Sequence, residues 1–221
     1  MHIEVLVEDS SGRRLLEHLL PAVIGPHSQP HTWRMHAYKG IGRIPRSLRP
    51  EGDPARRILL DQLPRLLRGY GQTPGIDAVL VVLDTDSHEC AGFLSDLKHI
   101  AGTCAPALNT LFRLAIEEIE AWYFGDRPAL LAAYPRARHQ PLDSYVQDSI
   151  CDTWEKLADA VHDGGAATIR RIGWPLPGQI KHEWADRIGP RMDVENNASP
   201  SFRTFRDGLR RLVGQVGPPD A

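Results

Sequence analysis

A short apolar run, residues 77–83, limits the possible folds of this chain more than any other feature. Its sequence, DAVLVVL, is rich in β-branched residues and shows no polar alternation. Such a run is typical of a strand buried on both faces at the centre of a parallel sheet. Further strand candidates at 2–7, 31–38 and 108–115 alternate with helix candidates. This order predicts an α/β fold with a mostly parallel sheet flanked by helices.

The helix candidates follow from apolar spacing and from residues that begin or end helices. Leucines in the segment 13–20 share one helical face, and Pro21 is expected to end that helix. Further helices are expected at 54–69, 89–101, 116–125, 150–162, 178–188 and 199–213. The helix 116–125 is expected to continue directly from the strand before it.

The pattern changes near residue 127, where Pro, Gly and His become more frequent. We therefore divide the chain into a core at 1–126 and a helical or irregular C-terminal extension at 127–221, packed on that core. The last helix, 199–213, has a clear apolar stripe, with Ser199 as its N-cap.

Composition narrows the functional class. The chain has 221 residues and no run of about 18 apolar residues, so no membrane span is expected. The N-terminus shows no secretory signal, and three scattered cysteines form no C-x-x-C pair, which favours the cytoplasm over a disulfide framework or a zinc ribbon. A formal charge of −2 gives no overall attraction to nucleic acid, although a local basic face remains compatible with it.

Acidic residues follow several of the predicted strands. Glu8 follows the first strand, Asp84 and Asp86 follow the central strand, and Glu117 and Glu120 lie three apart on the predicted helix 116–125. The carboxyl ends of parallel strands meet at one edge, so we expect the carboxylates of Glu8, Asp84, Asp86 and Glu120 within roughly 10 Å of one another. Converging carboxylates would be electrostatically unfavourable without a cation, which favours a bound metal ion such as Mg²⁺; the resemblance described below adds Mn²⁺. The alternatives are turn residues and a helix whose first turn favours acids.

Basic residues in the segment after the second strand suggest a phosphate-binding surface. Lys39, Arg43, Arg46 and Arg49 are the candidates for contacts with nucleic acid, and a solvated loop is the alternative. Lys181 and His182, far along the chain, could close over the acidic site, but no local pattern requires it.

The tryptophans have two interpretations. Trp122, Trp154, Trp174 and Trp184 are most simply core residues, with a base-stacking platform as the alternative.

Taken in order, several short motifs resemble the Toprim domain, and more closely a bacterial Toprim-like family of unknown function related to the overcoming-lysogenization-defect nucleases. The motifs that carry this resemblance are Val7-Glu8-Asp9, Leu15-Leu16, Asp84-Thr85-Asp86, Ile119-Glu120-Ala121-Trp122 with Asp126, and Ser199-Pro200-Ser201-Phe202 with Phe205. In one departure from the pattern, Asp9 stands where Toprim domains commonly have glycine.

The resemblance implies a Toprim core that binds one or two divalent ions. Glu8 would be a general acid–base or a metal ligand, and Asp84, Asp86 and Glu120 would be metal ligands. The implied function is a metal-dependent nuclease or related phosphodiesterase acting on DNA, RNA or a nucleotide. The alternative is a non-catalytic sensor or effector that works with an ATPase in bacterial defence.

A phosphatase of the haloacid-dehalogenase type fits less well, because its nucleophile motif belongs on the first strand, where this chain has Glu8. The oligomeric state is left open.

Overall fold

The computed structural model describes residues 1–45, 48, 53–85, 89–149 and 152–214. Within it, four parallel strands form one sheet in the order β2-β1-β3-β4. The predicted α/β class is confirmed. The strands are β1 (His2–Val7), β2 (Thr32–Ala37), β3 (Ala78–Asp84) and β4 (Asn109–Ala115).

Helices cover both faces of this sheet and form the C-terminal part of the described chain. They are α1 (Ser10–Ile24), α2 (Leu59–Gly71), α3 (Cys90–Cys104), α4 (Ala121–Phe124), α5 (Arg127–Ala133), α6 (His139–Asp143), α7 (Thr153–Val161), α8 (Gly165–Ile172), α9 (Leu176–Ile188) and α10 (Pro200–Leu212). Short 3₁₀ turns occur at Pro54–Arg56 and Gly189–Arg191. None of the described helices is long and apolar enough to span a bilayer.

The central strand β3 is buried on both faces, as its composition predicts. Leu80 and Val82 face a core shared with α1 and the C-terminal helices, whereas Val79, Val81 and Leu83 face a second core with α2 and α3. Because its side chains alternate between two apolar layers, the strand has no solvent-facing side and needs no polar alternation.

The strand order creates a crevice at the carboxyl ends of β1 and β3. The chain passes from β1 through α1 to β2 on one side, and β3 then pairs with the other side of β1. Connections that leave neighbouring strands in opposite directions leave an opening between them, which is where open α/β sheets bind ligands. Glu8 follows β1 and Asp84 ends β3, so both lie at this opening.

Several of the helix predictions are wrong. The helix expected at 54–69 begins only at Leu59, after a 3₁₀ turn, and α5, α6 and α8 were not predicted. The helix expected to end at Pro21 continues to Ile24, since Val23 and Ile24 bury apolar side chains in the core. The helix expected from 116 begins only at Ala121, because Glu117 has a left-handed backbone (φ 59°) that interrupts it.

The C-terminal helix α10 is fixed to the core through Trp122. The indole nitrogen of Trp122 donates to Ser201 Oγ at 3.0 Å, and its ring stacks on Phe205 at 4.8 Å. Its carbonyl oxygen accepts from Asn197 Nδ2 at 2.9 Å. Close by, Gly125 lets the segment before α10 approach, since a Cβ there would lie 1.9 Å from Asn197 Oδ1. The requirement at Gly125 is for space, because its backbone is ordinary right-handed helix.

We therefore expect Gly125→Ala to destabilise the protein by roughly 2–4 kcal/mol, because the segment before α10 must move away. The measurement is the free energy of unfolding in urea. Gly102→Ala is the matched control, since no atom lies within 4 Å of the Cβ it would add. That substitution, in the helix α3, should be neutral or stabilising by up to about 1 kcal/mol. Equal effects of the two substitutions would contradict this account of the packing.

Candidate active site

The turn after β1 places Glu8 at the crevice and starts α1 immediately after it. Asp9 is the N-cap of α1: its Oδ1 accepts from Gly12 N and its Oδ2 from Ser11 Oγ, both at 2.6 Å. Asp9 is extended (φ −140°), so this turn does not need the glycine common in Toprim domains. A Cβ at Gly12 would lie 3.0 Å from Val7 Cγ2, so the glycine that this turn does use brings α1 close to the end of β1.

Glu8 and Asp84 come together as the sequence predicts. The backbone N–H of Asp84 donates to Glu8 Oε2 at 3.3 Å, which connects the ends of β1 and β3. The charges of Glu8 and Glu120 both act on the Asp84 carboxyl. Three of the predicted carboxylates therefore face the same crevice. Asp86, the fourth, lies outside the described residues.

The third acidic group differs from the prediction in one residue. Glu118, rather than Glu117, accompanies Glu120: the Nζ of Lys181 lies 3.2 Å from a carboxylate oxygen of Glu118 and 3.4 Å from one of Glu120. Glu120 is only 2% exposed. Lys181 comes from α9, so the C-terminal extension supplies a cation to the site. Sequence reasoning did not assign Glu118, because a continuous helix from 116 would turn it away.

Glu117 is engaged elsewhere. Its carboxylate accepts a hydrogen bond from Thr153 N at 3.0 Å and another from the Thr153 hydroxyl. Glu118 similarly accepts from Trp154 N at 2.9 Å. Two successive carboxylates thus satisfy the free N–H groups at the start of α7, where the helix dipole favours negative charge. We therefore leave Glu117 out of the proposed site.

Burial and mutual repulsion raise the pKa values of the crevice carboxyl groups. Loss of hydration raises the pKa of Asp84 well above its usual range, and the charges of Glu8 and Glu120 raise it further. Burial and the charge of Glu120 raise the pKa of Glu118 to about 8, although Lys181 opposes the shift. Burial also raises the pKa of Glu120. Such shifts are typical of sites that bind cations or perform acid–base chemistry.

Lys181 only partly balances this charge. Burial lowers the pKa of Lys181, but the charges of Glu120 and Glu118 outweigh that effect and raise it above its ordinary value. The lysine therefore stays protonated at neutral pH. Besides Lys181, the crevice relieves the repulsion among its carboxylates by holding protons, so a divalent cation could take the place of those protons.

The predicted basic residues are only partly described. Lys39 is exposed and begins the segment beside Glu8, where Gly40 N donates to Glu8 O at 3.1 Å. Arg43 is exposed, and its backbone N donates to Asp61 Oδ1 at 3.2 Å. Arg46 and Arg49 lie outside the described residues.

Comparison with protein-family models, curated proteins and solved structures gave no match to this chain. Within the described ranges, no three or more His, Cys, Asp or Glu side chains are grouped so that they could hold a metal ion. The site must therefore be interpreted from its own geometry and charge.

The raised pKa of Glu118 gives a prediction about pH. Between its ordinary value near 4.5 and the folded value of about 8, the folded protein holds a proton that the unfolded chain has lost, so stability falls as pH rises through this window. Glu118→Gln should remove this contribution. The decrease in unfolding free energy between pH 5 and pH 8 should then be smaller in the variant than in the wild type by about 1–3 kcal/mol. The measurement is urea unfolding across this range without divalent metal.

A second carboxylate provides a control of opposite sign. Hydrogen bonds from the amides of Gly92 and Ala91 lower the pKa of Glu89, the N-cap of α3. Its contribution is therefore present above the ordinary glutamate pKa and is lost as pH falls. Glu89→Gln should destabilise the protein at neutral pH and have less effect in acid. If Glu118→Gln shows that same pattern, the carboxylate is not held in a charge-crowded site.

Proposed function

We propose that this protein is a divalent-metal-dependent phosphodiesterase of the Toprim type, a nuclease that uses Mg²⁺ or Mn²⁺. The observation that carries the proposal is the convergence of Glu8, Asp84 and Glu120 at the crevice between β1 and β3, together with the raised pKa of the last two. Carboxylates in ordinary structural ion pairs keep a pKa at or below the usual value, whereas the pKa values of Asp84 and Glu120 are raised here, as expected where carboxylates outnumber their cationic partners. The scattered cysteines further favour a cytoplasmic protein.

The residue types at the crevice fit a hard divalent cation in their chemistry, although the described side chains alone do not form a group of three that would hold one. Mg²⁺ and Mn²⁺ prefer carboxylate oxygens, and Mg²⁺ usually keeps several waters, so a few side chains are sufficient. Glu8, Asp84 and Glu120 would hold the ion, with Asp86 as the further ligand that the sequence suggests. The desolvation that raises the pKa of Asp84 would be offset by the bound cation.

When bound, such an ion supplies Lewis-acid stabilisation of the charge on a phosphate. The chain contributes the remaining functions in this proposal. Glu8, held by the Asp84 amide, takes the proton from the water that attacks phosphorus and returns it to the oxygen that leaves as its P–O bond breaks. Lys181 holds Glu118 and Glu120 in place and presents positive charge to a phosphodiester oxygen. Lys39, exposed beside Glu8, contacts the nucleic-acid backbone.

A second candidate is a non-catalytic module that works with an ATPase in a bacterial defence system. Lys181 supports it specifically, because an ammonium already lies between Glu118 and Glu120, in a place where a metal-dependent enzyme would be expected to leave room for its ion. In this alternative the lysine is a permanent substitute for the cation. The two candidates differ in whether divalent metal changes the stability of the protein.

If the crevice binds the ion, Mg²⁺ or Mn²⁺ at millimolar concentration should raise the melting temperature, since the folded state alone offers the site. Asp84→Asn should abolish this response, and the variant without metal should be at least as stable as the wild type, because it removes a desolvated charge. Asp163→Asn, at an exposed position, is the control and should keep the response. An unchanged metal response in Asp84→Asn would place the ion elsewhere.

Catalysis requires a separate test. With Mn²⁺ and single-stranded or duplex DNA or RNA, Glu120→Gln should reduce the cleavage rate by about 100-fold or more while the affinity for the nucleic acid stays nearly unchanged. The measurement combines single-turnover cleavage with binding in Ca²⁺. Equal cleavage by wild type and variant would indicate a contaminant. Inactivity of both on every substrate, with an intact metal response, would favour the non-catalytic module.

A further inference from the structure

The most exposed large apolar side chain named for the described residues is the indole of Trp174, at 83%. It lies between α8 and α9, where Gly173 has a left-handed backbone (φ 74°) and Leu176 N closes a turn onto Gly173 O at 3.1 Å. The prediction that this residue belongs to the core is wrong. Ile172, two residues earlier, is also 61% exposed, so the ring belongs to a pair of exposed apolar side chains rather than being a single surface residue.

The ring is supported from behind by the first turns of α9. A Cβ at Gly178 would lie 3.0 Å from Cη2 and 3.1 Å from Cζ3 of Trp174, so the absence of a side chain there lets the ring pack directly on the helix. Packing of this kind restricts the ring while most of its surface stays exposed. A flat aromatic surface held in this way is suited to stacking rather than to burial.

The same side of α9 leads to the acidic crevice. Lys181 and His182 are three and four residues beyond Gly178, which makes them its neighbours on the helix surface, about 4.5–6 Å along the axis. Lys181 contacts Glu118 and Glu120, and the His182 ring lies 2.9 Å from Ser10 Oγ at the start of α1. The ring of Trp174 therefore packs on α9 about one helical turn before Lys181, which contacts the crevice acids.

Two arginines shortly before Trp174 in the chain favour a negatively charged ligand. Arg170 and Arg171 occupy the last turn of α8, just before Trp174, and both are exposed. Arg170 lies over the Trp154 ring at 5.4 Å and pairs with Glu155, whereas Arg171 forms no ion pair with any residue that the structure describes. An exposed indole beside an arginine is the combination that binds nucleic acid with unpaired bases, since the ring stacks on the base and the cation contacts the phosphate.

We propose that Trp174 stacks on an unpaired nucleobase of a single-stranded substrate and that Arg171 contacts the adjacent phosphate, which positions the strand for the crevice beside Lys181. This inference rests on the proposed function and specifies its substrate class: single-stranded DNA or RNA rather than an intact duplex. A base in a duplex is already stacked between its neighbours and cannot reach the ring without being flipped out.

The test compares oligonucleotides with and without bases. Fluorescein-labelled dT12, rU12 and an abasic strand of the same length are titrated in Ca²⁺ against wild type, Trp174→Ala, Trp174→Phe and Arg171→Ala. The wild type should bind dT12 or rU12 roughly 10-fold more tightly than the abasic strand. Trp174→Ala should lose this preference, and Trp174→Phe should retain most of it. Arg171→Ala should weaken binding of all strands about equally and reduce the salt dependence by about one phosphate contact.

Several results would overturn the inference. These are no difference between base-containing and abasic strands in the wild type, a preference that survives in Trp174→Ala, or no binding of any strand. A surface for a protein partner is also distinguishable, because Ile172, the exposed neighbour at 61%, would share it. If Ile172→Ala and Trp174→Ala both change the sedimentation coefficient while strand binding stays unchanged, the patch is a protein contact and the proposal is wrong.

Failure of this inference and failure of the proposed function give different results. If the wild type cleaves nucleic acid and Trp174→Ala does so with unchanged KM and kcat, the nuclease proposal stands and the stacking role is wrong. If base-dependent binding is lost in Trp174→Ala while neither protein cleaves any strand, the stacking site stands and the catalytic proposal is wrong.

Discussion

The ammonium of Lys181 reaches two carboxylates, Glu118 and Glu120, from a helix more than 60 residues further along the chain. Glu120 is buried beside Asp84, and without a nearby cation these negative charges would repel each other in a poorly hydrated crevice. The acids therefore help to hold α9 in position, and α9 in turn supplies the cation that stabilises the buried acids. Glu118 extends this dependence to α7, because its second oxygen accepts from the Trp154 amide.

The sequence was most informative where one local rule determines the result. An apolar β-branched run predicted the central strand β3, and the general behaviour of parallel sheets placed Glu8 and Asp84 at one edge. Both inferences depend on residues close together in sequence plus a rule common to α/β folds. The α/β class, all four strands and the meeting of the two strand-end acids could therefore be predicted.

The parts that were missed depend on tertiary contacts. A helical pattern over 116–125 gave no sign that Glu117 would have a left-handed backbone. As a result Glu118 contacts Lys181, whereas Glu117 binds Thr153. Lys181 could be suspected but not assigned, because its partners lie far away in sequence. Trp174 was placed in the core on residue type alone. Only a Gly-Trp-Pro turn before a helix hinted otherwise, since such turns tend to lie at the surface.

The order of the site residues along the chain has a consequence for synthesis. Glu8, Asp84 and Glu120 emerge from the ribosome well before Lys181, which neutralises part of their charge. A nascent chain that ends within α4 would contain the crevice acids without the lysine and without the helices that exclude water from them. The crevice acids therefore stay hydrated until α9 docks, so the site is completed only after α9 itself has been translated.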